Sequence, residues 1–187
     1  MKTLKDYVKL YKSQLDQTIC CQTVEELQNA KWDQHMFYHR IKDSVDTLSG
    51  TNELSISYEN VSTVNTIMFT IQKTLIKYID DVKSSCFDGG TGISTVRFNK
   101  YDTDKQMASH CDHIYNIFDG ERRGIPILSI VGVLNDSYSG GDFIMFEEEK
   151  IDINSGDILI FPSVFLYPHK VDPVTAGTRF SYVAWAW

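Results

Sequence analysis

Apolar residues stand at 61, 64, 67, 68, 71, 75, 76, 79 and 82 with polar residues between them. That three-and-four spacing predicts one long amphipathic helix over residues 60–82. Upstream, Thr23 and Glu26 have the spacing of a capping box, which predicts a shorter helix opening at Thr23 and running towards Ala30. The glycine-rich stretch 84–92 (SSCFDGGTG) ends the helical texture. Beyond it, short apolar or alternating runs occupy 93–101, 107–114, 125–134, 142–147, 151–153, 157–161, 167–171 and 179–187, lengths that suit strands. Turn chemistry separates them at Asp119-Gly120, Gly140-Gly141, Asn154-Ser155-Gly156-Asp157 and Ala176-Gly177. Consecutive short strands without intervening helices suit a barrel or sandwich rather than a parallel sheet. The expected fold class is α+β. Residues 1–92 form an N-terminal helical and β support region and 93–187 a β-barrel-like core, together one continuous structural domain.

Composition narrows the class further. Of 187 residues 42% are hydrophobic and 23% charged, proportions of a folded chain with a real core rather than a disordered one. The longest apolar stretches, 125–134 and 158–167, fall short of a bilayer span. The opening residues MKTLKDYVKLYK carry no signal-peptide core, so a soluble, cytoplasmic protein with no membrane partner is expected. A net charge of −7 counts against nucleic acid as a partner. Cys20, Cys21, Cys86 and Cys111 form no C-x-x-C pair, so they read as reduced thiols and a zinc ribbon is excluded.

The chemistry concentrates in His110-Cys111-Asp112, with His169 further on and Arg179 ten residues after it. Side chains alternate along a strand, so His110 and Asp112 share a face. Two imidazoles and a carboxylate can fill one face of an octahedron and leave the opposite positions open, the arrangement of non-haem Fe(II) oxygenases. Arg179 and Ser181 likewise share a face of the last strand. A permanent guanidinium beside a hydroxyl suits the far carboxylate of a small dicarboxylic acid. The cosubstrate 2-oxoglutarate fits, its keto acid end on the metal, and Tyr101 can add a phenolic hydrogen bond.

The ordered set Tyr101, His110-x-Asp112, Asn135 to Asp142 (NDSYSGGD), Gly156 to Pro162 (GDILIFP), His169 and Arg179-x-Ser181 resembles the Fe(II)/2-oxoglutarate dioxygenases of the prolyl 4-hydroxylase type. The resemblance covers residues 93–187. It implies a double-stranded β-helix (jelly-roll) core, an iron triad of His110, Asp112 and His169, cosubstrate anchoring by Arg179, O2 as second cosubstrate and ascorbate to keep iron ferrous. It also suggests hydroxylation of an unactivated C–H bond, on a peptidyl proline or a small molecule. Asp112 favours hydroxylation, because related halogenases replace that carboxylate. Collagen-type members carry Lys where this chain has Arg179, some relatives place a cosubstrate Tyr where Val133 stands, and nucleic-acid demethylases carry a second Arg where Trp185 stands. Compact size and the wording around GERRGIP resemble short oxygenases of tailed phages or marine microbes; for a phage origin the compartment is the host cytoplasm.

Several residues read more simply. Trp185 and Trp187 suit packing, His35, His39 and His113 suit structural or exposed positions, and Glu147 to Glu149 suit a solvated hairpin tip. Gly140 and Gly141 suit a turn with positive φ, and Arg122-Arg123 a loop near the site mouth. Two other functions stay open: a cupin-like metal protein with no use for 2-oxoglutarate or Arg179, and a non-catalytic binding module.

Overall fold

The computed structural model describes residues 2–39, 44–46, 52–84, 87, 90, 92–112, 117–118, 123–124 and 126–187. Cys86, His113 and Arg122 lie outside them. In chain order, a 3-10 turn (Leu4–Tyr7) precedes β1 (Lys9–Tyr11), α1 (Gln17–Leu27), β2 (Asp33–Gln34), β3 (Phe37–His39), β4 (Ser44–Asp46), β5 (Ser55–Ser57) and α2 (Val64–Val82). There follow β6 (Arg97–Tyr101), β7 (Met107–His110), β8 (Ile117–Phe118), β9 (Arg123–Gly124), β10 (Leu128–Val133), β11 (Tyr138–Gly140) and β12 (Phe143–Met145). The chain ends with β13 (Glu149–Ile151), β14 (Ile158–Pro162), β15 (His169–Val171), β16 (Val174–Gly177) and β17 (Arg179–Ala186).

Two antiparallel sheets make the body of the fold. The major sheet has the order β1-β14-β10-β17-β6-β5-β2 and the minor sheet β13-β12-β15-β7. This is the expected jelly-roll architecture, with the sequence-distant strands β10 and β17 side by side at its centre. Period-two alternation gives the major sheet two apolar faces. Ile130, Ile158, Ile160, Phe98, Phe180, Tyr182 and Ala184 point to one core, shared with α1 and α2. Val131, Val133, Leu159, Phe161 and Tyr101 point to the other, shared with Met107, Phe143, Met145 and Val171 of the minor sheet. Gly132 is fixed by the first core: a Cβ there would lie 2.1 Å from the Tyr182 ring.

The long helix forms where the periodicity predicts, though it begins at Val64, after its N-cap Thr63. Ile67, Ile71, Leu75, Tyr78 and Val82 are buried on its inner face, each contributing about 1.5–3 kcal/mol by removal from water. The short helix corrects the sequence reading. It opens at Gln17, capped by the Asp16 carboxylate on the Thr18 N–H at 2.7 Å, and Thr23 lies inside it. The Thr23 hydroxyl bonds the Ile19 carbonyl at 2.6 Å and lies 2.6 Å from the Thr63 hydroxyl. Glu26 serves the other helix, accepting the Ser62 N–H at 2.7 Å just before α2, where a carboxylate meets the positive end of the helix dipole.

The support region is also more β-rich than its sequence pattern suggested: β1, β2 and β5 belong to the major sheet. Sequence reading also missed the small β11–β16 ladder. Gly140 and Gly141 adopt φ of +70° and +66°, as expected for that turn. Glu147 and Glu148 stand at the β12–β13 hairpin tip. Among the described residues no helix is long and apolar enough to cross a membrane.

Candidate active site

The minor sheet positions the candidate metal cluster. β7 and β15 pair antiparallel with His110 opposite His169, which brings the two imidazoles to 4.3 Å between ring centres. Asp112 follows two residues after His110, once the strand has ended. Its Oδ1 lies 3.3 Å from His110 Nε2 and its Oδ2 3.9 Å from His169 Nε2. One ligand atom from each of the three falls within 4.8 Å of the others, a separation that suits one bound cation.

The surroundings fix which ring nitrogens are free. His110 Nδ1 lies 2.9 Å from the Ala108 carbonyl and His169 Nδ1 3.1 Å from the Tyr167 carbonyl. A carbonyl only accepts, so each Nδ1 donates to its carbonyl and each Nε2 is turned towards Asp112, a common support for metal-bound histidine. His169 is stacked on Phe143 and met edge-on by Phe161. Burial and the His110 charge lower its pKa to about 4 against the pull of Asp112, leaving a neutral imidazole at neutral pH. Burial opposes the charge of Asp112, but the two histidines and the Ser129 hydroxyl outweigh it and hold the carboxyl well below its usual range. Ser129 Oγ donates to Asp112 Oδ2 at 2.6 Å and sits 2.8 Å from Ser163 Oγ. Two imidazole nitrogens and one carboxylate oxygen, each braced from behind, fit a divalent transition metal.

Across the pocket, β17 and β6 of the major sheet supply a wall. The register sets Arg179 opposite Tyr101 and Ser181 opposite Asn99. Arg179, 1% exposed, donates to Ser181 Oγ at 2.9 Å, and its guanidinium lies 5.0 Å from the Tyr101 ring and 5.9 Å from that of Tyr138. Its Nε and Nη2 are buried with no acceptor among the described residues. A buried guanidinium with unspent donors is costly alone, and the wall thus provides a place for an anion. Tyr101 is buried against that cation, and burial raises its phenol pKa.

Between wall and cluster lies a pocket that opens to solvent, with about 400 Å³ between its lining atoms when the open mouth is included. All six residues singled out from sequence (Tyr101, His110, Asp112, His169, Arg179 and Ser181) line it. Val131, Phe143 and Val171 give it an apolar interior. Trp185, expected as packing, lines it too, under the Arg97 guanidinium at 5.0 Å. Trp187 does pack at the sheet end, exchanging main-chain hydrogen bonds with Gly92. His35 is buried, and its Nδ1 has no partner among the described residues.

Sequence reading missed Ser129, Arg97 and Asn99. Ser129 had left a trace as the one hydroxyl in the apolar run IPILSIVGVL. Arg97 and Asn99 had left another, at even spacing before Tyr101 on its face of the strand.

Residues 96–187 match the family model of the 2OG-Fe(II) oxygenase superfamily. A PKHD-type hydroxylase of Acinetobacter baumannii is 32% identical over 94 residues, covering 47% of this chain and 40% of that protein. The match thus spans about two fifths of that curated relative's length. Among solved structures, a prolyl-4-hydroxylase of Pseudomonas putida superposes with a TM-score of 0.65 at 16% identity, over 96% of this chain and 91% of that one. A Trichoplax adhaerens prolyl hydroxylase, solved in complex with a hypoxia inducible factor oxygen degradation domain peptide, gives 0.70 at 15% identity, over 97% and 84%. At such identities the likeness is one of fold, and it extends over residues 1–92 as well as the β core.

Proposed function

Because residues 96–187 belong to the 2OG-Fe(II) oxygenase superfamily, we propose that this chain is a 2-oxoglutarate-dependent hydroxylase acting on a peptidyl proline. In this reading His110, Asp112 and His169 hold Fe(II), and Arg179 with Ser181 receives the far carboxylate of 2-oxoglutarate. Bound there, iron supplies the O2 chemistry that couples decarboxylation of 2-oxoglutarate to succinate and CO2 with transfer of one oxygen atom to a substrate C–H bond.

The chain's own residues do the holding and the shielding. Ala108 and Tyr167 carbonyls orient the two imidazoles, and Ser129 steadies one oxygen of Asp112. The unspent Nε and Nη2 donors of Arg179 receive the anion, and Ser181 holds Nη1 in place. Tyr101 covers the guanidinium, while Val131, Phe143 and Val171 give the pocket apolar walls.

The buried Arg179, with two donors unpaired among the described residues and opposite a His/Asp/His cluster, carries this reading. A metal protein with no use for an anionic cosubstrate would leave that charge uncompensated. For the substrate, support comes from the PKHD-type hydroxylase relatives and from the prolyl hydroxylase neighbours, one of them solved with a peptide. The test incubates the protein with Fe(II), 2-oxoglutarate and O2 over a panel of proline-containing peptides. The expected result is a one-oxygen mass gain on proline, matched mole for mole by succinate. Turnover of 2-oxoglutarate without modification of any prolyl peptide would remove the proline assignment and leave the oxygenase reading standing.

A further inference from the structure

The β6–β17 wall carries a second cation that the metal and cosubstrate reading leaves unused. The ladder that sets Arg179 opposite Tyr101 sets Val183 opposite Arg97, so the two arginines stand at opposite ends of one pocket face. Four residues of extended chain separate their rungs, about 13 Å. The Arg97 guanidinium lies 5.0 Å from the centre of the Trp185 ring, and its Nε donates to Asn99 Oδ1 at 3.2 Å. Among the described residues no carboxylate pairs with it. The buried Glu53 instead accepts the Ala108 N–H, 3.3 Å from each oxygen. At the same end of the pocket, the Trp185 Nε1–H is buried with no acceptor among the described residues. A braced cation and an orphaned donor therefore border the same space as His110 and Asp112.

We propose that Arg97, held by Trp185 and Asn99, receives a carboxylate of the molecule that is hydroxylated. This rests on the oxygenase reading above. A planar guanidinium matches a carboxylate through two parallel N–H bonds. One positive charge and one indole donor suit a monoanion better than a phosphate dianion. The cosubstrate is assigned to the other end, where Arg179 has its own unspent donors. The carboxylate can belong to a small molecule or to an acidic side chain of a peptide, and the test separates the two.

The experiment is calorimetric titration, without oxygen, of protein holding Mn(II) and saturating 2-oxoglutarate. Two matched probe pairs are used: N-acetylproline against its primary amide, and a capped Pro-Glu peptide against its Pro-Gln counterpart. In the native protein the acid of at least one pair binds about tenfold or more tightly than its neutral partner, the scale of one charged hydrogen-bonded contact. Preference within the first pair identifies a free carboxylate, and within the second a side chain. The ratio falls to about one in Arg97→Gln and is partly kept in Arg97→Lys, while 2-oxoglutarate affinity stays within about twofold in both. If Arg97→Gln does not fold, Trp185→Phe keeps the ring, removes the N–H and lowers the ratio severalfold. Equal affinity within both pairs, or a ratio that survives Arg97→Gln, overturns the proposal while 2-oxoglutarate still binds normally. Failure of 2-oxoglutarate to bind the native protein overturns the oxygenase reading itself, and is measured before any probe is added.

Discussion

His35 meets Phe37 edge-on at 4.8 Å between ring centres, and Phe37 meets His110 at 6.3 Å. Burial, then the Arg97 and His110 charges, push its pKa from 6.5 down to about 3, with Asp112 opposing. The folded protein therefore keeps His35 neutral where an unfolded chain protonates it. Between these two values the unfolded state binds more protons, so stability present at neutral pH is lost as pH falls from about 6.5 towards 3. Denaturant unfolding of the metal-free protein across that window should show this loss, with a shallower slope in His35→Phe. Equal slopes would mean that His35 titrates alike in both states. The side chains that carry chemistry were legible where sequence neighbours share a strand face, as Arg179 and Ser181 do in β17; His110 and Asp112 also meet, although β7 ends at His110 and Asp112 reaches the cluster from beyond the strand. Ser129 escaped because its partner Asp112 comes from a different segment, and local spacing holds no record of that meeting.

Elements aim these side chains, and the turn between β11 and β12 does so most directly. Gly141 adopts φ +66°, and a Cβ there would lie 3.0 Å from Val174 Cγ2 and 3.1 Å from Arg179 Cδ. Gly141→Ala should cost about 1–3 kcal/mol through backbone strain and shift the guanidinium. Expected are a lower denaturation midpoint and a severalfold weaker calorimetric affinity for 2-oxoglutarate. A stability loss with unchanged affinity would mean that this turn does not position Arg179. Helix α2 was legible because a six-turn apolar stripe has no competing explanation. The start of α1 was misread because Asp16 and Thr23 both suit a cap. Packing decided between them: the Thr23 hydroxyl meets Thr63 from the other helix, and Glu26 is drawn to Ser62 at the start of α2. Strands β2 and β5 escaped for a related reason. They are two and three residues long, too short for alternation to register, and they exist by pairing with the edge of a sheet built elsewhere in the chain.

Over the whole molecule, residues 1–92 and 93–187 are interleaved. β1 pairs with β14 and β5 with β6, at opposite sides of the major sheet, and the inner face of α2 shares one core with Phe98, Ile130 and Ile160. A fragment of residues 93–187 would expose that apolar face and both sheet edges. It should not fold alone, as read by loss of near-ultraviolet circular dichroism and by aggregation; a cooperative unfolding transition in the fragment would show the β core to be independent. The interleaving also gives the site its proposed logic, with the metal cluster on the minor sheet and the anion-receiving arginine on the major sheet. The most direct test adds Fe(II) and then 2-oxoglutarate to the metal-free protein without oxygen and follows the visible metal-to-ligand charge-transfer band. The account predicts a band that is absent in His110→Ala and needs at least about tenfold more 2-oxoglutarate in Arg179→Gln. Folded native protein that binds iron by elemental analysis, yet gives no band at saturating 2-oxoglutarate, would contradict it.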